Sequence, residues 1–285
     1  MVIRLSAIRK GFRLLKCKAL GQALDPELRH SVQIWKLTLR VWWSSVTRKP
    51  LDVRLHHEFN LWAEKGVGEG MDNPHRRIIE LTIPKMELAQ KDRILDLACG
   101  AGLASRLMAA NGPRVVGMDI SDGMLRHAKS QTAQMQIRNV GFTCGSAEHI
   151  PFPDNFFTKA LSVEAFYYFE HQDRVLAELQ RVLAPQGRLF LLICLYTDHK
   201  DSLRTVDSVD VPVHVRSIAE YKELLANGGW TDINAEEFIR EPQPGRKADV
   251  HDRALLLSAS KPAAGFSIAQ GLHSKNEDAL LESLT

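Results

Sequence analysis

From about residue 91 the chain alternates short apolar runs with segments of helical period, and this most limits what it can fold into. RILDLA (93–98) runs into the turn CGAG. LASRLMAAN follows, with Leu103 and Leu107 one helical turn apart, until Asn111-Gly112-Pro113 stops it. RVVGMDI (114–120) is the next apolar run, and Ser121 is placed to cap a helix over DGMLRHAKSQTAQM. NVGFTC (139–144) and KALSVEAF (159–166) predict two more strands. DRVLAELQRVL (173–183) puts Val175, Leu179 and Val182 on one helical face, with Pro185-Gln186-Gly187 as its stop. RLFLLICL (188–195) is nearly all apolar, as a strand buried on both faces must be. IAEYKELLANGGW predicts a last helix, and TDINAEEFIR and RALLLSAS two last strands. Strands alternating with helices of this length predict an α/β fold with a doubly wound parallel sheet.

Charge divides the chain. Residues 1–50 hold eleven Lys/Arg and only two acids, Asp25 and Glu27, although the whole chain carries just +3. The body is therefore acidic, which argues against nucleic acid as its partner, because phosphate recognition needs clustered Lys/Arg. The basic leader allows three readings: a mitochondrial transit peptide, an amphipathic membrane-surface helix using Trp35, Trp42 and Trp43, or a helical extension packed on the body. The location expected is cytoplasmic, with membrane association or mitochondrial targeting through residues 1–50 as alternatives. Cys17, Cys99, Cys144 and Cys194 make no C-x-x-C pair, and no apolar run is long enough for a membrane span. The expected division is an extension over 1–50, a catalytic domain over 51–261 and a disordered tail over 262–285.

Ligands of an open α/β sheet bind beyond the carboxyl ends of its strands, at the topological switch point. There the first strand ends in Asp96-Leu97-Ala98-Cys99-Gly100-Ala101-Gly102, and the second ends in Asp119. Gly100 and Gly102 permit a tight turn, and Asp119 is placed for ribose hydroxyls. A dinucleotide would bring its pyrophosphate to this turn, where Asp96 would repel it, and Ser105 stands in place of the third fingerprint glycine. A nucleoside ligand with a cationic end suits two acids better, and S-adenosylmethionine is such a ligand. A metal site at His56-His57 is not expected, since adjacent helical residues point about 100° apart.

ILDLACGAG, VVGMDIS, GSAEHIPFPDNFF and RVLAPQGRLFLL together resemble the class I S-adenosylmethionine-dependent methyltransferases of the ubiquinone/menaquinone-biosynthesis type, most specifically over residues 90–195. The resemblance implies a Rossmann-like doubly wound sheet of seven strands, mostly parallel with an antiparallel edge strand, plus the N-terminal helical extension. It implies that Asp96, Ala98, Cys99, Gly100 and Gly102 form the cofactor turn. Asp119 and Ile120 would meet ribose and adenine, and Ser146, Ala147 and Glu148 the adenine edge. Ser162 falls where the fourth strand meets the cofactor. The family commonly has Asp where this chain has Ser146, so the adenine amino contact would lack its usual acid and could fall to the Ser hydroxyl or nearby backbone.

Glu164 and His214 are the candidate catalytic bases, with Tyr167, Tyr168 and His171 nearby. Asn60, Trp62 and Met71 are candidate pocket residues, and Gly66 to Gly70 a lid. The function expected is methyl transfer to a small, apolar, quinone- or lipid-like acceptor. The alternatives are an S-adenosylmethionine-binding regulatory or assembly protein without turnover and an NAD(P)-dependent oxidoreductase.

Overall fold

The computed structural model describes residues 50–66, 72–199, 211–239 and 252–263. The leader's expected helical, membrane or targeting character falls outside them, as do the tail beyond 263, Met71 and the expected lid over 67–70.

Helices α1 (Leu51–Glu64) and α2 (Asp72–Met86) precede the sheet. Then come β1 (Arg93–Leu97), α3 (Leu103–Ala109), β2 (Arg114–Asp119), α4 (Asp122–Gln134), β3 (Val140–Cys144) and β4 (Phe157–Val163). The chain continues through α5 (Gln172–Val182), β5 (Leu183–Ile193), α6 (Ile218–Asn227), β6 (Thr231–Ile239) and β7 (Arg253–Ser260). The seven strands form one sheet in the order β3-β2-β1-β4-β5-β7-β6. Strands β1 to β5 pair in parallel, and β7 runs antiparallel to both of its neighbours, β5 and β6. The chain steps outward from β1 to β3 and then returns to the other side of β1 at β4. The switch point thus lies between β1 and β4.

Apolar burial on both faces holds the sheet in place. Along β5, Leu189, Leu191 and Ile193 enter the core cluster under α5, whereas Phe190, Leu192 and Cys194 enter the one with α3 and α4. That two-sided burial is the physical reason for the unbroken apolar run in the sequence. Ser121 caps α4, its hydroxyl accepting from the Met124 amide at 3.0 Å. Thr158 holds the start of β4 by donating to Asp92 at 2.8 Å and accepting from the Arg93 amide at 3.2 Å.

Two details differ from the sequence expectation. Strand β4 ends at Val163, because Glu164 takes a left-handed φ of 54° and a 3-10 turn follows over Phe166–Tyr168. Strand β5 begins at Leu183, ahead of Pro185-Gln186-Gly187, and its pairing with β4 shifts register there. The segment before the sheet is helical, and helix α1 places Leu51, Leu55, Phe59 and Trp62 along one cavity wall. Among the described residues no helix is long and apolar enough to cross a membrane.

Gly117 in β2 marks a close approach. A Cβ there would lie 2.7 Å from the Phe142 ring and 2.9 Å from Cys99 Sγ. Gly117→Ala is therefore expected to cost about 1–3 kcal/mol by overpacking. Urea unfolding measures this, and a loss below about 0.5 kcal/mol, the scale of an ordinary surface change, would contradict the contact.

Candidate functional site

The carboxyl ends of the strands open into a cavity of about 320 Å³. Each strand contributes the residues just past its end: Ala98, Gly100 and Ala101 after β1, Asp119 and Ile120 at β2, and Gly145 to Glu148 after β3. Val163 to Ala165 and Tyr167 to Glu170 come from the β4 end, and Leu195 from the β5 end. Helices α1 and α2 close the opposite side, α2 supplying His75 and Ile79.

Asp119 ties the two glycine-turn strands together. Its carboxylate accepts from the Gly100 amide and from the Ser121 amide, both at 2.8 Å. It is 7% exposed, and burial raises its pKa against the pull of these amides. Asp96 is more deeply set, at 1% exposure, and is not part of the cavity lining. The Ser105 hydroxyl donates to it at 2.5 Å. The serine at the third fingerprint position thus holds the acid behind the turn. Burial pushes Asp96 up to about 7; the Asp119 charge adds to the rise, while Ser105 and the Arg106 charge oppose it. Ala98 and Glu164, both non-glycine residues at left-handed φ values of 57° and 54°, sit at the strand ends facing the cavity. Such strained backbone concentrates at functional sites.

Glu164 is fixed by its neighbours. One carboxylate oxygen accepts from the Cys194 amide, and the other accepts from the Tyr167 hydroxyl at 3.3 Å. Burial holds both Tyr167 and Tyr168 above the usual phenol range, and the Glu164 charge pushes the same way. These phenols stay protonated at neutral pH and act as donors. They continue into an aromatic wall, with Tyr167 and Tyr168 ring centroids 4.6 Å apart, Tyr168 5.4 Å from Phe59, and Phe59 5.3 Å from Trp62.

The structure thus gathers Ala98, Gly100, Asp119, Ile120, Ser146, Ala147, Glu148 and Glu164 around one cavity. Cys99, Gly102, Ser162 and His214 are not among its lining residues. Gly102 holds a φ of 78°, and a Cβ there would meet Ala128 and Phe142 at 3.0 Å, so it serves the turn by close packing. Ser162 is buried at 1% exposure. His214 is joined to the β4 loop through its backbone, its amide donating to the Tyr167 carbonyl at 2.7 Å. His56 faces Asp122, with Nε2 and Oδ1 3.1 Å apart, and Asn60 clasps the start of α4. The Asn60 carbonyl accepts from the Ser121 hydroxyl at 2.6 Å and the Gly123 amide at 2.9 Å.

Asp52, Leu51, Leu55 and Phe59 also line the cavity, although sequence reasoning does not single them out. A signal for the apolar three is present in the spacing of Leu51, Leu55, Phe59 and Trp62, which keeps to one helical face.

S-adenosylmethionine fits this site on the structure's own terms. Burial raises both strand-end acids, Asp96 and Asp119, against the hydrogen bonds that hold them, and a cationic ligand beside them would favour their ionised forms. The cavity is within the range that small-molecule sites occupy, about 300–1,000 Å³.

Residues 95–191 match the family described as a methyltransferase domain. A phthiotriol/phenolphthiotriol dimycocerosates methyltransferase from Mycobacterium ulcerans is 29% identical over 244 residues, covering 82% of this chain and 81% of its own. A demethylmenaquinone methyltransferase from Lactiplantibacillus plantarum is 34% identical over 133 residues; the match spans 45% of this chain and 54% of that protein. Among solved structures, a chain from the complex of the Haloferax volcanii Trm112 methyltransferase activator with a methyltransferase superposes with a TM-score of 0.65 at 24% identity. It covers 72% of this chain and 98% of its own, which speaks to the fold.

Proposed function

We propose that this chain, whose sequence and fold support a class I S-adenosylmethionine-dependent methyltransferase, acts on a small, largely apolar acceptor of quinone or lipid-like character. The observation that carries this reading is the aromatic and aliphatic wall from α1 and the β4 loop, which lines the same cavity as Asp119 and Glu164. The names of the relatives' acceptors, a dimycocerosate and a demethylmenaquinone, are in keeping with it.

When bound, the cofactor supplies a methyl group already activated on a sulfonium. The protein's remaining work is to align the acceptor, exclude water and, where the acceptor atom carries a proton, remove it. Leu55, Phe59 and Trp62 exclude water from the α1 side. Glu164 offers a carboxylate at the end of β4, oriented by the Cys194 amide and the Tyr167 hydroxyl. We assign it the role of receiving the acceptor's proton. His214 lies behind the loop and is assigned a supporting role there.

Incubating the purified protein with methyl-labelled cofactor and a cell extract tests the acceptor class. Label is expected in the fraction that partitions into organic solvent. Label in the protein, nucleic-acid or water-soluble fractions would overturn an apolar acceptor, and no label in any fraction would favour a binding protein without turnover. Glu164→Gln is expected to lower kcat about 10²–10⁴-fold while leaving S-adenosylhomocysteine affinity within a few-fold. An unchanged kcat would reduce Glu164 to shaping the pocket.

A further inference from the structure

The cofactor reading, laid on the sheet order, suggests the direction in which the nucleoside lies. On that reading Asp119 at the end of β2 is the ribose acid, and β2 is flanked by β1 on one side and β3 on the other. The charged tail of the ligand belongs with the glycine turn and the β4 end, where Glu164 and the acceptor wall are. The base must therefore extend past Ile120 toward the segment after β3, Gly145 to Glu148.

At that end the polar groups are few. The Ser146 hydroxyl is already committed, donating to Asp52 Oδ2 at 2.9 Å and accepting from the Glu148 amide at 3.3 Å. Glu148 faces Arg174 at 3.5 Å. Asp52, in the first turn of α1, lines the same cavity, and Ser146 engages only one of its two carboxylate oxygens in a hydrogen bond between the two side chains. An ionised carboxylate only accepts hydrogen bonds, and an exocyclic amino group only donates them.

We propose that Asp52, held in place by Ser146, is the acceptor that recognises the 6-amino group of the adenine base. This carboxylate lies outside the methyltransferase domain's motifs, 94 residues away from its serine partner. Ser146, which departs from the family pattern, becomes the residue that positions it. The assignment rests on S-adenosylmethionine being the cofactor.

The test is calorimetric and needs no turnover. S-adenosylhomocysteine and its analogue carrying unsubstituted purine in place of adenine are titrated into the full chain and into Asp52→Ala, Asp52→Asn and Glu148→Gln. A hydrogen bond to a charged group corresponds to roughly a ten- to hundredfold preference of the wild type for the amino-bearing ligand. Asp52→Ala is expected to lose that preference by weakening only the amino-bearing ligand, with Asp52→Asn between the two. Glu148→Gln should keep it. An undiminished preference in Asp52→Ala, an equal loss for both ligands, or a preference that disappears in Glu148→Gln instead would overturn the assignment. Thermal unfolding of each ligand-free variant separates an unfolded protein from an altered site. If neither compound binds the wild type, the cofactor reading itself falls, and that outcome is distinct from the others.

Discussion

Asp119→Ala is expected to weaken S-adenosylhomocysteine binding about a hundredfold or more, since a ribose diol can place two hydrogen bonds on the carboxylate and each contributes roughly 1.5–3 kcal/mol. The loss has a second source. The same carboxylate holds the Gly100 and Ser121 amides at 2.8 Å, so without it the glycine turn and the start of α4 lose their common anchor. Asp119→Asn keeps an acceptor and the side chain's shape, and should fall between wild type and alanine. Titration calorimetry measures the affinities, and urea unfolding of the ligand-free variants checks that the fold persists. An affinity within about threefold of wild type in Asp119→Ala, well short of one such hydrogen bond, would remove this residue from the site.

Asp96 should make the ligand-free protein less stable as pH rises. Its native pKa is raised from 3.8 to about 7, so between those values the folded state holds a proton that the unfolded chain has released. Stability from this group is present in full below about 3.8 and is lost as pH climbs through about 7. A rise of that size corresponds to about 4 kcal/mol, carried by a side chain that is 1% exposed. Asp96→Asn substitutes a neutral side chain of the same shape that can still accept from Ser105. At pH 8 the ligand-free variant is expected to be more stable than wild type by about 2–4 kcal/mol, and at about pH 4 nearly equal to it. Urea midpoints across this range give the comparison. A variant whose stability follows the same pH course as wild type would show that the buried charge is balanced within the fold. Cofactor binding should weaken in the variant, because it lacks a negative charge behind the turn that would receive the cationic ligand.

The strand-end part of the candidate site is legible in the sequence because its signals are local. Asp96, Gly100 and Gly102 lie within one turn, Asp119 closes the next strand, and the alternation of strands and helices places both at the switch point. Depth is not legible. That Asp96 is buried behind the turn and joined to Ser105 depends on how α3 packs, which spacing does not reveal. The end of β4 is hidden because the apolar run continues through Ala165 and Phe166, while the backbone turns at Glu164 with a positive φ that favourable contacts, not local propensity, must sustain. The contribution of α1 is hidden for a different reason. Asp52 acquires meaning only through Ser146, far along the chain, and Asn60 only through Ser121 and Gly123.

The Asn60 clasp has a consequence for how such an enzyme can change. The α1 part of the proposed acceptor wall precedes the matched domain, yet Asn60 and His56 fasten it to the residues that follow Asp119. On the proposed reading, changes at Leu55, Phe59 or Trp62 would alter the acceptor wall while the Asn60 clasp and the strand-end loops stay untouched. Within α1, Asn60 and Asp52 bond to the loops of the sheet and would stay fixed, while Leu55, Phe59 and Trp62 would be the exchangeable part.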